Sequence, residues 1–192
     1  LELWQGCSAS LEAIQKSLEE YLETKRMAFP RFYFLSNDEL LEILSQTRDP
    51  HAVQPHMTKC FDAIKSINFG EGSNSTDILG MNSPEGEKVD YVAVQKAEGP
   101  VEAWLKGVET CMRNSLGDLT ERSWKSYPPK EEALHRAEWM FGFPAQVTIA
   151  VDQIFWTKYL AEAISEVEEG KNKNAVGEFL DYQLKQIDNM ID

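Results

Sequence analysis

The stretch that decides the fold occupies residues 4–26 and reads WQGCSASLEAIQKSLEEYLETKR. Six apolar residues in it are separated by three and four positions in turn, which is the spacing of an a/d seam on an α-helix. These residues are Trp4, Cys7, Leu11, Ile14, Leu18 and Tyr21. The pattern predicts a long helix whose seam packs into the core of a helical bundle. The alternative is that the seam forms one arm of a coiled coil.

The residues that follow, 29–35, read FPRFYFL and predict a short β-strand. Pro30 cannot continue the preceding helix, and closely spaced aromatic residues favour a strand. Ser36 and Glu39 have the spacing of a capping box, so a second helix is expected to begin there. A third helix is expected to begin at Pro55, with an inner face formed by Met57, Cys60, Phe61 and Ile64.

Short runs of β-prone residues at 67–69, 78–81 and 88–94 predict three further strands. The proline and glycine within residues 82–86 fit a type I turn between the last two of these strands. We therefore expect a small antiparallel hairpin, which the strand at 32–35 would extend.

Helices dominate from residue 100 onwards, and the pattern predicts them at 101–125, 130–141, 144–169 and after a linker at 170–174. The helix at 144–169 is apolar on most sides, so we expect it to be buried between neighbours. The last helix has one apolar side, formed by Val176, Phe179, Leu180, Leu184, Ile187 and Ile191. The predicted fold class is mainly α: a helical bundle with a small antiparallel β-hairpin or sheet insertion. Residues 1–66 would hold helices and the short strand near 29–35, residues 67–99 the β-hairpin, and residues 100–192 a helical bundle.

Composition and charge exclude several classes of protein. The 192 residues are 42% hydrophobic and 27% charged, which is typical of a globular chain and not of a disordered one. Nineteen Lys and Arg against 32 Asp and Glu give a formal net charge of −13. Such a chain repels phosphate backbones and anionic lipid, so neither nucleic acid nor a membrane is an expected partner.

Periodic patterns that run to both ends suggest an excerpt from a longer polypeptide.

Motifs for catalysis and for metal binding are weak or absent. No G-x-x-x-x-G-K-[ST] loop or G-x-S-x-G elbow occurs in the sequence. His51, His56 and Cys60 are the best candidates for metal ligands, but they lack a fourth ligand and a zinc motif. Cys111 falls on an apolar helix face, where a thiol is normally inert packing. We therefore predict no catalytic residue, no metal site and no cofactor site in this chain.

Several segments together resemble the linker of dynein heavy chains. They are YLETKR at 21–26, FPRFYFLSNDELLEILS at 29–45, VEAWL at 101–105, FPAQV at 143–147 and QIFWT at 153–157. The resemblance covers nearly the whole chain, and SQTRDP at 45–50 is similar to axonemal rather than cytoplasmic members. It implies an elongated helical-bundle rod, the central to C-terminal part of a mechanical arm that arches over a ring of six AAA+ modules. All 192 residues would then be part of one linker domain.

The resemblance also implies how such an arm works and where it is found. ATP binding and hydrolysis in the first AAA+ module would bend and straighten the arm, with ATP and Mg bound elsewhere in the heavy chain. Its direct partner would be the AAA+ ring of the same heavy chain. The dynein tail, its associated chains and microtubules would be indirect partners. The location would be the cytoskeleton, in the axoneme of a cilium or flagellum.

Phe29, Arg31, Phe32 and Tyr33 are the residues that we expect to be mechanically important, and plain core packing is the alternative role for them. A different function also remains open, in which the chain is a static helical scaffold or adaptor that binds a partner helix through residues 4–21. A free-standing enzyme is the third interpretation, and it predicts a ligand pocket and turnover. Micromolar affinity of these residues for ATP would contradict the mechanical arm.

Overall fold

The computed structural model describes residues 2–45, 49–72, 75–129 and 136–191. Its α-helices are α1 (Glu2–Ala28), α2 (Asn37–Ser45), α3 (Met57–Cys60), α4 (Val101–Lys125), α5 (Arg136–Phe141), α6 (Ala145–Glu168) and α7 (Ala175–Ile191). Two 3-10 helices occupy Pro30–Phe34 and Pro50–His56, and the strands are β1 (Ser66–Phe69), β2 (Asp77–Asn82) and β3 (Lys88–Lys96). The fold class is mainly α with a small sheet insertion, as predicted. The chain divides into two compact units, Leu1–Ser115 and Leu116–Asp192.

Helix α1 confirms the long helix predicted from the opening stretch, but its seam does not face a core. Trp4 is 79% exposed and Leu11 is 67% exposed, and every residue from 3 to 21 is exposed. Leu22 is the first buried side chain of this helix. The expectation that the seam packs into a bundle is therefore wrong for the part of the chain that the structure describes.

The strand predicted at 29–35 is also wrong, because these residues form the 3-10 helix Pro30–Phe34, which we call the junction turn. The amide of Phe32 donates to the carbonyl of Phe29 at 3.0 Å, and that of Leu35 donates to the carbonyl of Phe32 at 3.1 Å. Pro30 stands at the first helical position, where its fixed φ suits a helix and its missing N–H costs nothing. A three-residue period places Phe29 and Phe32 on one side.

The capping box at the start of α2 is confirmed. The amide of Ser36 donates to Glu39 Oε2 at 3.0 Å, and the amide of Glu39 donates to Ser36 Oγ at 3.3 Å. Leu40 and Ile43 of this helix are buried. The third helix is shorter than expected, because Pro55 lies within the second 3-10 helix and α3 has four residues.

The three strands form one antiparallel sheet in the order β1-β2-β3. Ser66 pairs with Asn82, so β1 is the third strand beside the hairpin of β2 and β3. The prediction that residues 32–35 extend this hairpin is wrong. In the connecting turn, the amide of Gly86 donates to the carbonyl of Ser83 at 3.1 Å. Strand β2 passes so close to β3 that a Cβ at Gly80 would lie 2.5 Å from the carbonyl oxygen of Val89.

The second unit is built around an aromatic core. Its buried members are Trp139, Val147, Val151, Phe155 and Tyr159. The prediction that α6 is buried on most sides is wrong, since Ile149 on its other face is 69% exposed. Helix α7 likewise leaves most of its apolar side exposed, including Leu180 and Ile187, and buries Gln186. The helix predicted at 130–141 is confirmed from Arg136, while its first six residues lie outside the described ranges.

Candidate functional site

The last turn of α1 is fastened to the first turn of α4 by a partly buried ion pair. Lys25 Nζ lies 2.6 Å from Glu102 Oε1, although the two residues are 77 positions apart in the sequence. The hydrogen bond to Glu102 raises the pKa of Lys25, against the opposing effect of burial. Because both groups are largely removed from water, loss of either partner would leave a poorly solvated charge.

Two buried phenylalanines anchor the junction turn in the core, close to Lys25 in the chain. Phe29 and Phe32 are both buried, and their rings meet edge to face with centroids 5.0 Å apart. Phe61, at the end of α3, lies next to them with its centroid 6.4 Å from that of Phe29. Edge-to-face pairs add about 0.5–1.5 kcal/mol to the effect of burial alone, so this packing fixes how the chain turns after α1.

Arg31 joins the junction turn to two other elements. Its Nη1 donates to the carbonyl oxygen of Cys60 at 3.0 Å, and its Nη2 lies 3.3 Å from Glu109 Oε1 on α4. The guanidinium carbon also lies 4.4 Å from the centre of the Phe61 ring. A lysine has neither the planar fork nor the stacking surface needed for these three contacts. Glu109 accepts a second hydrogen bond, at 2.9 Å, from Arg113 one turn further along α4.

Tyr33 points away from this core. Its hydroxyl donates to Glu23 Oε1 at 2.5 Å, and that hydrogen bond raises the pKa of the phenol. Phe34, next in the chain, is 70% exposed. The structure therefore brings Phe29, Arg31 and Phe32 together and separates Tyr33 from them. We use the name junction for the junction turn together with Lys25, Phe61, Glu102 and Glu109.

Sequence reasoning missed the acidic half of the junction. Glu102 and Glu109 are seven residues apart, so they lie two turns apart on one face of α4. Lys25 lies in the last turn of α1, where a cation is favoured whatever it contacts. The available signal was two acids at helical spacing, but nothing in the sequence indicated which cations would meet them.

The residues considered for metal binding make other contacts. His56 Nε2 lies 3.5 Å from Glu42 Oε2, and the His51 ring packs against Phe69 with centroids 4.0 Å apart. Burial raises the pKa of the Cys60 thiol to about 11, so this sulfur is a poor ligand and a poor nucleophile. Within the described ranges, no cluster of three or more ligand-type side chains is placed to hold a metal ion. None of the described helices is long and apolar enough to cross a membrane.

Comparison with known proteins identifies the family. A family model described as dynein heavy chain, N-terminal region 2, matches residues 1–123. The chain belongs to the dynein heavy chain family. The matched region contains the whole junction, and the resemblance of the sequence to dynein heavy chains is thereby confirmed.

Individual dynein relatives agree with this assignment. The chain is 48% identical over 164 residues to dynein axonemal heavy chain 1 of Homo sapiens, covering 85% of this chain and 4% of that protein. It is 45% identical over 190 residues to dynein axonemal heavy chain 12 of Rattus norvegicus, covering 97% of this chain and 6% of that protein. All these relatives carry axonemal names, as the stretch at 45–50 predicted. The chain thus spans about one-twentieth of their length.

Proposed function

We propose that this chain is a mechanical segment of an axonemal dynein heavy chain, in which it transmits the movement that ATP drives elsewhere in the motor. The family match over residues 1–123 carries the proposal. The axonemal names of the relatives support a place in the axoneme of a cilium or flagellum. In this proposal the chain catalyses nothing itself, ATP and Mg bind outside it, and its direct partner is the AAA+ ring of the same heavy chain.

The junction has the properties that a force-bearing joint needs. Force passes along a helix only if its end is fixed, because a loose end dissipates the displacement by local rotation. Lys25 and Arg31 fasten the end of α1 and the junction turn to two acids on α4. The close-packed rings of Phe29, Phe32 and Phe61 resist compression and favour discrete arrangements over gradual deformation.

The proposal is tested by loosening the junction in the intact heavy chain. Arg31→Met keeps the apolar stem of the side chain and removes the contacts to Cys60 and Glu109. We expect microtubule gliding velocity to fall several-fold while microtubule-stimulated ATP hydrolysis stays within about twofold of the parent value. The matched control is Arg113→Met, which removes the other hydrogen bond to Glu109 from an exposed arginine.

Two outcomes would contradict the mechanical role. If gliding and ATP hydrolysis fell together in Arg31→Met, the residue would serve stability of the whole motor. If Arg113→Met slowed gliding as much as Arg31→Met, the effect would belong to Glu109 and not to the junction turn.

A further inference from the structure

The seam of α1 carries more exposed large apolar side chains than any other described helix or strand of the first unit. We define the α1 seam as Trp4, Cys7, Leu11, Ile14, Leu18 and Tyr21, which lie on one face of the helix. Its large members are between 37% and 79% exposed, and Leu3 beside it is 79% exposed. An isolated apolar side chain on a surface needs no explanation, but a continuous stripe over five turns marks an interaction site.

The size of the seam matches one side of a stable interface. Standard interfaces bury about 800 Å² on each partner, and five large apolar side chains at this exposure present an area of that order. The residue spacing also specifies the shape of the partner. An alternating spacing of three and four residues presents a narrow row of knobs, which fits the facing row of a second helix better than the broad face of a sheet.

The positions beside the seam define the chemistry of that helix. In heptad terms the flanking e and g positions hold Ser8 and Gln15 on one side and Ser10 and Ser17 on the other, and none of these is charged. Flanking ion pairs therefore cannot select the partner. At Cys7 the seam side chain is small and Ser10 beside it is small too, so the partner should place a large side chain opposite this gap.

We infer that the α1 seam is covered by an amphipathic helix of the same heavy chain that lies outside these 192 residues, with an apolar seam and uncharged flanks. The chain covers only 4–6% of its relatives' length, so most of such a heavy chain is available to supply the helix. A second copy of this chain is the less favourable occupant, since two chains of net charge −13 repel each other. The inference does not depend on the mechanical proposal, because a static dynein segment would need the same cover.

Cys7 provides a direct probe of this cover. It lies in the seam and is exposed, whereas Cys60 is buried, and each thiol can be followed separately by peptide mass spectrometry. We expect Cys7 to react with N-ethylmaleimide at the rate of a free thiol in the 192-residue chain. In the intact heavy chain its reaction should be at least about tenfold slower, because a covering helix excludes the reagent. Equal rates in the two proteins would overturn the inference.

A paired set of variants separates the seam from the rest of α1. Leu11→Gln combined with Ile14→Gln should return Cys7 reactivity in the intact heavy chain to within about threefold of the exposed rate, because polar groups weaken the buried seam. The matched control is Ala9→Gln combined with Ala13→Gln, which adds two glutamines on other faces of the same helix and should leave Cys7 protected. Circular dichroism of both variants in the 192-residue chain should show unchanged helix content, since all four positions are exposed there. If the control deprotected Cys7 equally, the seam would not be the interface.

The oligomeric state of the 192-residue chain tests the alternative occupant. Sedimentation equilibrium at micromolar concentration should show a monomer. A dimer that the Leu11→Gln and Ile14→Gln pair dissociates would overturn the inference and assign the seam to a second copy.

Discussion

Replacing Phe32 or Phe34 by alanine distinguishes the junction turn from the strand that the sequence predicts. The two residues are the same amino acid, two positions apart. In a strand their side chains would lie on the same face, and the two should contribute similarly to the free energy of unfolding. In the 3-10 helix Phe32 is 0% exposed, while Phe34 is 70% exposed. The pair is therefore its own matched control.

The expected magnitudes follow from burial. Phe32→Ala removes a fully buried ring and its edge-to-face contact with Phe29, which costs about 3–5 kcal/mol of unfolding free energy. Phe34→Ala removes an exposed ring and should change the unfolding free energy by no more than about 0.5 kcal/mol. A loss of 3–5 kcal/mol is a large fraction of the 5–15 kcal/mol of a typical domain.

Hydrogen exchange is the preferred assay here, because it reports on the β2 amides of the first unit directly. Phe32→Ala should speed the exchange of the slowest β2 amides by about a hundredfold to several-thousandfold. Phe34→Ala should change β2 exchange by less than about threefold. Equal effects of the two substitutions would refute the inward and outward assignment of these rings.

Two further predictions concern single contacts in the first unit. Gly80→Ala should destabilise the sheet by several kcal/mol, because its Cβ would lie 2.5 Å from the carbonyl oxygen of Val89. Gly6→Ala, on an open face of α1, should instead be neutral or stabilising by up to about 1 kcal/mol, and thermal melting of the two variants checks the contrast. Hydrogen bonds from Lys59 and from Ser36 lower the pKa of Glu39 from 4.5 to about 2. Its stabilising contribution is therefore complete above pH 4.5 and is lost as the pH falls towards 2. Urea titrations should show Glu39→Gln less stable than the parent at pH 6 and nearly equal to it at pH 2, and a difference that persists at pH 2 would contradict the assignment.

Local rules predicted much of the fold correctly. The capping box of α2, the paired strands β2 and β3 and the long helix α4 each depend on residues close together in the sequence. Their physical causes, such as the reciprocal bonds of Ser36 and Glu39, act within a few residues. This is why composition and spacing were sufficient for them.

Errors arose where a local pattern had two physical solutions. Aromatic density at 29–35 suits a strand, but Pro30 also starts a 3-10 turn, and burial of Phe29 and Phe32 selects the turn. An apolar seam on α1 predicts cover by another element, but it cannot specify whether these 192 residues contain that element. The apolar sides of α6 and α7 raise the same difficulty, because periodicity identifies a face and not what covers it.

The acidic half of the junction could not be predicted for a different reason. Lys25 meets Glu102 and Arg31 meets Glu109 across separations of 77 and 78 residues. Many cations and acids in this chain could pair with equal local plausibility, so only the tertiary fold selects these two pairs. The mechanical role expected for Phe29, Arg31 and Phe32 stays a prediction, and their contacts with α3 and α4 could not be predicted from the sequence.

The mechanical claim is tested most directly by a distance measured within a working motor. One dye is placed at position 85, which is exposed in the turn between β2 and β3, and a second is placed on the first AAA+ module of the intact heavy chain. If the segment moves with the ATP cycle, single-molecule energy transfer should show two distances whose populations change between the nucleotide-free and ATP-bound states. A single distance in every nucleotide state would contradict the mechanical role.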